Sequence, residues 1–194
     1  MTNADFEKAT LRHFLQRARD ALVWKLDGLD ERAARWPMTP TGTNLLGLVK
    51  HAAGIELGYF GEVFGRRWEG EAALTWIADD APPNADMWAT ADESMEYVVA
   101  LYKQVWAFAD ETIEQLELDA PGRVPWWGRP EVTLHQVLVH VVAELSRHAG
   151  HADIVRELTD GAAGVRAERS NLPDLGADQW SGYVAQLREV AESF

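Results

Sequence analysis

The chain has no cysteine among its 194 residues. This absence excludes a disulfide-stabilised scaffold, a cysteine-ligated zinc finger, an iron–sulfur protein and an enzyme whose own thiol is the nucleophile. Long apolar runs are also missing, because the longest, Tyr97 to Tyr102, is far shorter than the ~20 residues that span a bilayer. The first residues lack the pattern of a signal peptide. We therefore expect a cytoplasmic protein without a membrane partner.

Positive charge is scarce as well. The chain has 18 Lys and Arg against 31 Asp and Glu, which gives a formal net charge of -13. Nucleic acids and anionic membrane surfaces bind basic proteins, so this charge argues against both partners. The hydrophobic fraction of 47% is ordinary for a globular chain. We expect one domain over residues 1–194, long enough to bury a core.

Four long segments have the apolar periodicity of amphipathic helices, and no strand pattern competes with them. The first segment carries an apolar stripe made of Leu11, Leu15, Ala18, Leu22, Leu26 and Leu29, and the second runs from Thr43 as N-cap to about Phe64. The third segment follows a Thr90–Glu93 capping box and runs to about Leu116. The fourth follows a Thr133–Gln136 capping box and covers Leu134 to about Leu158. These segments predict an all-α four-helix bundle, whose topology periodicity leaves open.

The tail and two loops complete the organisation. Residues 161–194 predict a loop and a short helix, about Asp178 to Glu192, that docks through Trp180, Tyr183, Val184 and Leu187. Two long loops, Gly65 to Ala89 and Pro121 to Pro130, are rich in tryptophan, and buried aromatic rings favour ordered loops. Tryptophans more often serve packing, but some of these residues are also candidates for the wall of a small-molecule cavity: Trp76, Trp88, Trp126, Trp127 and Arg129.

The fourth helix carries a stripe of ionisable residues. At about 100° per residue, His140, Glu144, His148 and His151 fall within an arc of about 80°, whereas His135 points away. The stripe borders the apolar face of the helix, where an unpaired buried charge is costly. These side chains therefore need partners.

One candidate partner is a divalent metal ion. Glu144 and His148 are spaced i,i+4 and lie one turn apart, so they can bind the same ion. A third ligand must come from another helix, and His51 in the second helix is the candidate. Most such pairs are solvated surface pairs, and a lone histidine such as His51 is more often an ordinary hydrogen-bonded residue. His140 and His151 are candidates for catalytic or ligand-orienting roles, or are polar residues at the rim.

Two segments resemble a known family. The stretch Asn44 to Glu56, which contains His51, and the stretch His140 to Asp153, which contains Arg147-His148-Ala-Gly-His151, are similar to the DinB-like (YfiT-like) metal-binding bundle proteins. The resemblance covers most of the chain and implies a four-helix bundle with a divalent ion held by three side chains. Carried over, those are His51, Glu144 and His148. The His, Glu, His set is closest to the branch that contains mycothiol-dependent maleylpyruvate isomerase, although many members have glutamine at the position of His151.

Several activities are compatible with such a site. An external low-molecular-weight thiol held as thiolate gives an S-transferase or isomerase, whereas metal-bound water gives a hydrolase. Iron with oxygen chemistry ranks lower, because the resemblance implies zinc or nickel. A non-enzymatic, metal-stabilised interaction bundle is the rival from another class. We expect zinc as the ion, a small-molecule substrate and thiol as partners, and no nucleic acid; a homodimer is compatible with apolar helix faces.

Overall fold

The computed structural model describes residues 2–78, 80–170 and 172–194. Eight named elements define the fold: α1 Asn3–Val23, α2 Glu31–Arg35, α3 Leu45–Phe60, α4 Met95–Gln115, β1 Pro121–Arg123, β2 Glu131–Thr133, α5 Leu134–Asp160 and α6 Ala177–Glu192. Single 3-10 turns lie between them at Trp24–Leu26, Glu62–Phe64, Glu71–Ala73, Thr75–Ile77 and Ala85–Met87. In these described ranges, no helix is long and apolar enough to cross a membrane.

The long helices α1, α3, α4 and α5 form the predicted all-α bundle. Helix α3 packs against both α4 and α5, and α1 packs against α5. Helices α3 and α5 run antiparallel, because His51 contacts His148 while Tyr59, further along α3, contacts His140, earlier in α5. Their inward faces supply a continuous apolar core. The prediction of an all-α four-helix bundle is confirmed.

A buried polar network also crosses the core. The guanidinium of Arg19 on α1 donates to the carboxylate of Glu56 on α3, with Nε–Oε1 at 3.0 Å, and the hydroxyl of Tyr102 on α4 donates to the same carboxylate at 3.0 Å. Burial raises the pKa of Glu56, and the Arg19 charge opposes that rise. The network ties three helices together at defined positions.

Helix starts follow local capping chemistry. The Thr133–Gln136 capping box is present at α5, as predicted. At α3 the cap is Asn44 rather than Thr43, because the Asn44 side chain accepts from the N–H of Gly47. The predicted Thr90–Glu93 box does not start α4: the N–H of Thr90 donates to Glu93, but this turn precedes the helix, whose cap is Ser94.

Helix α3 also ends earlier than predicted. It stops at Phe60 rather than near Phe64, and Gly61 has non-helical backbone angles. The next residues form a 3-10 turn that Gly65 closes with a φ of 65°. Glycine adopts this left-handed conformation at little steric cost, so the chain turns here into the long loop.

Two small elements were not predicted. Helix α2 has only five residues after its N-cap, Asp30. Strands β1 and β2 have three residues each and form an antiparallel hairpin in which Pro121 pairs with Thr133. Segments this short carry no measurable periodicity. The expectation that no strand competes with the helices is wrong for the Pro121–Thr133 segment, although the hairpin does not alter the all-α class.

Helix α6 forms close to its predicted bounds but lacks the predicted buried face. All its residues are described by the structure, and none of them is buried. Tyr183, Val184 and Leu187, which the sequence predicts as docking residues, are 39% to 51% exposed. Only Trp180 is partly covered, and its ring contacts Tyr183 of the same helix. The amphipathic pattern predicted the helix correctly, but not its packing.

Candidate metal centre and aromatic cluster

The candidate site lies where α3 and α5 face each other. On α3, His51, Ile55 and Tyr59 are spaced by four residues and therefore share one face. On α5, His140, Glu144 and His148 have the same spacing. Because the two helices are antiparallel, His51 meets His148 at one end and Tyr59 meets His140 at the other. The structure thus brings the predicted second-helix histidine to the predicted stripe.

His51 and His148 form a close pair. Their ring centroids are 4.8 Å apart and the rings are nearly perpendicular, with an interplanar angle of 76°. His148 is largely buried, and its Nδ1 atom is buried without a hydrogen-bond partner among the described residues. Burial, followed by the charge of His51, lowers the pKa of His148 to about 4. Its imidazole is therefore neutral near pH 7, the form that binds metals.

Asp86 is a member of this site that the sequence did not reveal. It lies in the 3-10 turn Ala85–Met87, and Nδ1 of His51 donates to its Oδ2 at 2.6 Å. This hydrogen bond lowers the pKa of Asp86 and leaves Nε2 of His51 as the nitrogen that can bind a ligand. A carboxylate on the far nitrogen is the usual arrangement around a metal-binding histidine. No spacing pattern signals it, because 35 residues separate Asp86 from His51.

Gly47 and Asn44 seat the turn that carries Asp86. A Cβ atom at residue 47 would overlap the carbonyl oxygen of Met87, so only glycine lets this turn lie against α3. The Asn44 side chain donates to the same carbonyl oxygen at 3.2 Å. The N-terminal end of α3 therefore holds Asp86 in place opposite His51.

Glu144 and His151 lie beside the histidine pair. Oε2 of Glu144 is 4.0 Å from Nε2 of His148, which is near but beyond hydrogen-bonding distance. The His151 ring lies 5.3 Å from the His148 ring. Both side chains are partly exposed, so they border the site from the solvent side.

His140 belongs to an aromatic cluster, which we define as Tyr59, Trp126, Trp127 and His140. The ring centroid of His140 lies 4.7 Å from that of Tyr59 and 4.8 Å from that of Trp127. The ring centroids of Trp126 and Tyr59 are 5.7 Å apart. The Nε2 atom of His140 is buried and lacks a hydrogen-bond partner in the part of the chain that the structure describes. Two of the predicted wall tryptophans thus reach the α3–α5 face, one helical turn from Glu144.

The other predicted wall residues lie elsewhere. Trp76 and Trp88 line a different cleft, next to Lys50, and do not join the aromatic cluster. Arg129 is exposed in the loop between β1 and β2. His135, which the helical arc placed away from the stripe, contacts Glu7 of α1 at 3.1 Å.

The ligand atoms around the histidine pair are of the types that bind a divalent ion. Across residues 2–78, 80–170 and 172–194, no three His, Asp or Glu side chains are already arranged as a complete ligand set. However, the partnerless Nδ1 of buried His148, the Asp86-oriented His51 and the adjacent Glu144 carboxylate offer two nitrogens and one oxygen. This donor set suits zinc. The three ligands can reach one ion only if the Glu144 side chain turns toward the two histidines.

The fold and this arrangement define an all-α bundle with a histidine- and carboxylate-lined centre between two antiparallel helices. The sequence profile of the mycothiol S-transferase family matches residues 10–161, and the chain belongs to that family. The match spans α1 from Thr10 to the end of α5 and leaves α6 outside. No curated protein sequence matches the chain. The suspected membership in the mycothiol branch of the DinB-like bundles is therefore confirmed.

Proposed function

We propose that this protein is a divalent-metal-dependent S-transferase that uses a low-molecular-weight thiol of the mycothiol type. Family membership supports the thiol and the transfer reaction. The observation that carries the metal dependence is the pairing of neutral, buried His148 with His51, whose other nitrogen is hydrogen-bonded to Asp86. Without a cysteine of its own, the chain depends on a sulfur atom from a diffusible co-substrate.

In this proposal His51, Glu144 and His148 hold the ion, with zinc the best match to the donors and nickel or iron as alternatives. When bound, such an ion supplies the positive charge that keeps a coordinated thiol in its nucleophilic thiolate form. Asp86 orients His51 through the hydrogen bond to Nδ1 and leaves Nε2 free for the ion. Low pKa and burial keep His148 neutral and ready to bind.

The remaining residues handle the proton and the electrophile. His151, which lies beside His148 and is partly exposed, would accept the proton of the incoming thiol and pass it to solvent. The aromatic cluster provides an apolar wall for the electrophile, and the unpaired Nε2 of His140 offers it a hydrogen bond. These roles follow from position along the α3–α5 face.

Metal analysis of untagged protein tests the proposal first. We expect about one zinc per chain and a rise in melting temperature on adding zinc, because an ion that binds only the folded state stabilises it. His148→Ala should lose the ion, since two ligands seldom hold it. His135→Ala is the matched control, because His135 lies on the same helix but contacts Glu7 instead. A native protein with far less than one metal per chain and no response to zinc contradicts the metal dependence.

A conjugation assay then separates the activities. The metal-loaded protein is incubated with mycothiol and monochlorobimane, and conjugation is followed above the uncatalysed rate. We expect acceleration that disappears in His148→Ala and remains in His135→Ala. Metal-dependent hydrolysis of ester substrates without thiol-dependent conjugation would favour the hydrolase instead, because metal-bound water would then be the nucleophile.

A further inference from the structure

A cleft lies beside the candidate metal centre and has no part in the mechanism proposed above. It has a volume of about 660 Å³, which is in the range of small-molecule sites. We call it the tryptophan cleft, and the side chains that matter for its chemistry are Lys50, Trp76, Asp80, Trp88, Asp92, Glu93 and Tyr97. Two cleft residues directly precede residues of the metal centre in the chain. Lys50 precedes His51, and Ala85 precedes Asp86, the hydrogen-bond partner of His51.

Hydrogen-bond donors form the inner part of the cleft. Lys50 is 1% exposed, and its Nζ donates to the carbonyl oxygen of Trp88 at 3.0 Å and to Glu93 at 2.8 Å. An ammonium group has three N–H donors, of which these acceptors take two, and Nζ also lies 4.9 Å from the centroid of the Trp76 ring. Trp76 is 8% exposed, and its Nε1–H finds no acceptor among the described residues. A buried donor without an acceptor is costly, which makes an acceptor on a ligand favourable here.

Aromatic rings and carboxylates form the outer part. Trp88 and Tyr97 are 51% and 44% exposed, so both rings keep free surface. Because Glu93 offsets the charge of Lys50, the carboxylates of Asp80 and Asp92 leave the cleft with a net negative charge. That charge repels anions and supplies hydrogen-bond acceptors. The cleft therefore combines hydrogen-bond donors inside, of which the Trp76 Nε1–H is unpaired among the described residues, with acceptors and aromatic surface outside.

We propose that the tryptophan cleft binds a neutral, polyhydroxylated ring, namely the sugar-like part of the thiol co-substrate. A hydroxyl group both donates and accepts, so a ring of hydroxyls matches donors on one side and carboxylates on the other. The apolar C–H face of such a ring packs on aromatic surface. The choice of ligand rests on the proposed function, because mycothiol carries its cysteine-derived thiol on a glucosamine–inositol unit. Lys50 and Ala85 of the cleft directly precede His51 and Asp86 in the chain, so rings held there would place the sulfur on the side of the histidine pair.

Direct binding of a thiol-free probe tests the proposal. The probe is mycothione, the disulfide of mycothiol, compared with N,N′-diacetylcystine, which has the same disulfide without the rings. Isothermal titration of the full chain should show saturable binding of mycothione and none of diacetylcystine. Trp88→Ala and Tyr97→Ala should each weaken mycothione binding about tenfold, the scale of one lost aromatic contact. Trp76→Phe, which keeps a ring but removes the Nε1–H, should weaken it as well.

Trp36→Ala is the matched control, because Trp36 is 50% exposed and does not line the cleft. Equal binding of the two disulfides, no binding of mycothione, or the same affinity in Trp88→Ala and Trp36→Ala would each overturn the proposal. The titration needs neither metal nor turnover. Mycothione binding can therefore be observed even if the protein has no S-transferase activity. If the protein is an active S-transferase and the cleft substitutions do not change its mycothione binding, only the proposal for the cleft is refuted.

Discussion

At the scale of single residues, the candidate centre depends on how each histidine is held. His148 is kept neutral by burial, which lowers its pKa, whereas His51 is oriented by the carboxylate of Asp86. A metal ligand that is already oriented loses less conformational freedom when an ion binds. We therefore expect Asp86 to act as a positioning residue for the candidate centre, although it lies in a loop that carries no recognisable motif.

Replacing Asp86 with Asn tests that role. The amide still accepts a hydrogen bond from His51 but no longer carries a charge, so we expect zinc affinity to fall about 10- to 100-fold with little change in melting temperature of the metal-free protein. Competition with a fluorescent chelator measures the affinity. Asp119→Asn, at an exposed position before β1, should leave it unchanged. Equal affinities for the two variants would show that Asp86 does not support the centre.

At the scale of the elements, the helices are aligned by polar contacts as well as by apolar packing. Arg19 of α1 is 1% exposed and meets the fully buried carboxylate of Glu56 on α3. A second carboxylate, on Asp110 of α4, takes the other end of the guanidinium at 2.8 Å. Removing one partner of such a buried pair leaves an uncompensated charge, and this costs more than the lost contact.

We therefore expect Arg19→Ala to lower the free energy of unfolding by about 3 to 5 kcal/mol. Thermal melts and urea titrations measure the change, and the fall in melting temperature should be about 10 °C for a chain of this size. Arg17→Ala is the control, because Arg17 is exposed on the same helix. If the two variants melt at the same temperature, the buried network contributes nothing to the packing of α1 on α3.

At the scale of the whole molecule, the bundle and the C-terminal helix are distinct in packing. The family match ends at residue 161, and helix α6 has no buried residue, all of its positions being described. The loop just before it is attached to the bundle, because Trp24 Nε1 donates to the carbonyl oxygen of Val165 at 3.0 Å and Lys25 donates to that of Gly164. The bundle thus extends to about residue 166, and α6 contributes no buried residue to it.

Deleting residues 175–194 checks this division. We expect the shortened chain to keep its melting temperature within a few degrees and to retain its metal content, because helix stability in proteins comes from buried contacts that α6 lacks. Differential scanning calorimetry and metal analysis give both quantities. A loss of more than about 5 °C, equivalent to about 2 kcal/mol, would mean that α6 packs on the bundle in solution.

Much of the fold was predictable, because long amphipathic helices repeat one pattern over many turns. The four bundle helices, the Thr133–Gln136 cap and helix α6 all follow from local spacing. The short helix α2, the hairpin and the exposed face of α6 did not follow. The short helix and the hairpin depend on contacts with distant segments, and a periodic pattern does not encode which element, if any, covers an apolar face.

For the candidate site, the sequence alone placed His140, Glu144, His148 and His151 on one face of α5, because the helical repeat brings these residues together locally. It also singled out His51 on another helix. Only the tertiary structure decided that His51 lies against His148, that Asp86 holds His51, and that Trp126 and Trp127 join His140 while Trp76 and Trp88 line a separate cleft. The physical reason is range: helix geometry acts over one or two turns, whereas these contacts depend on how antiparallel helices and an irregular loop pack.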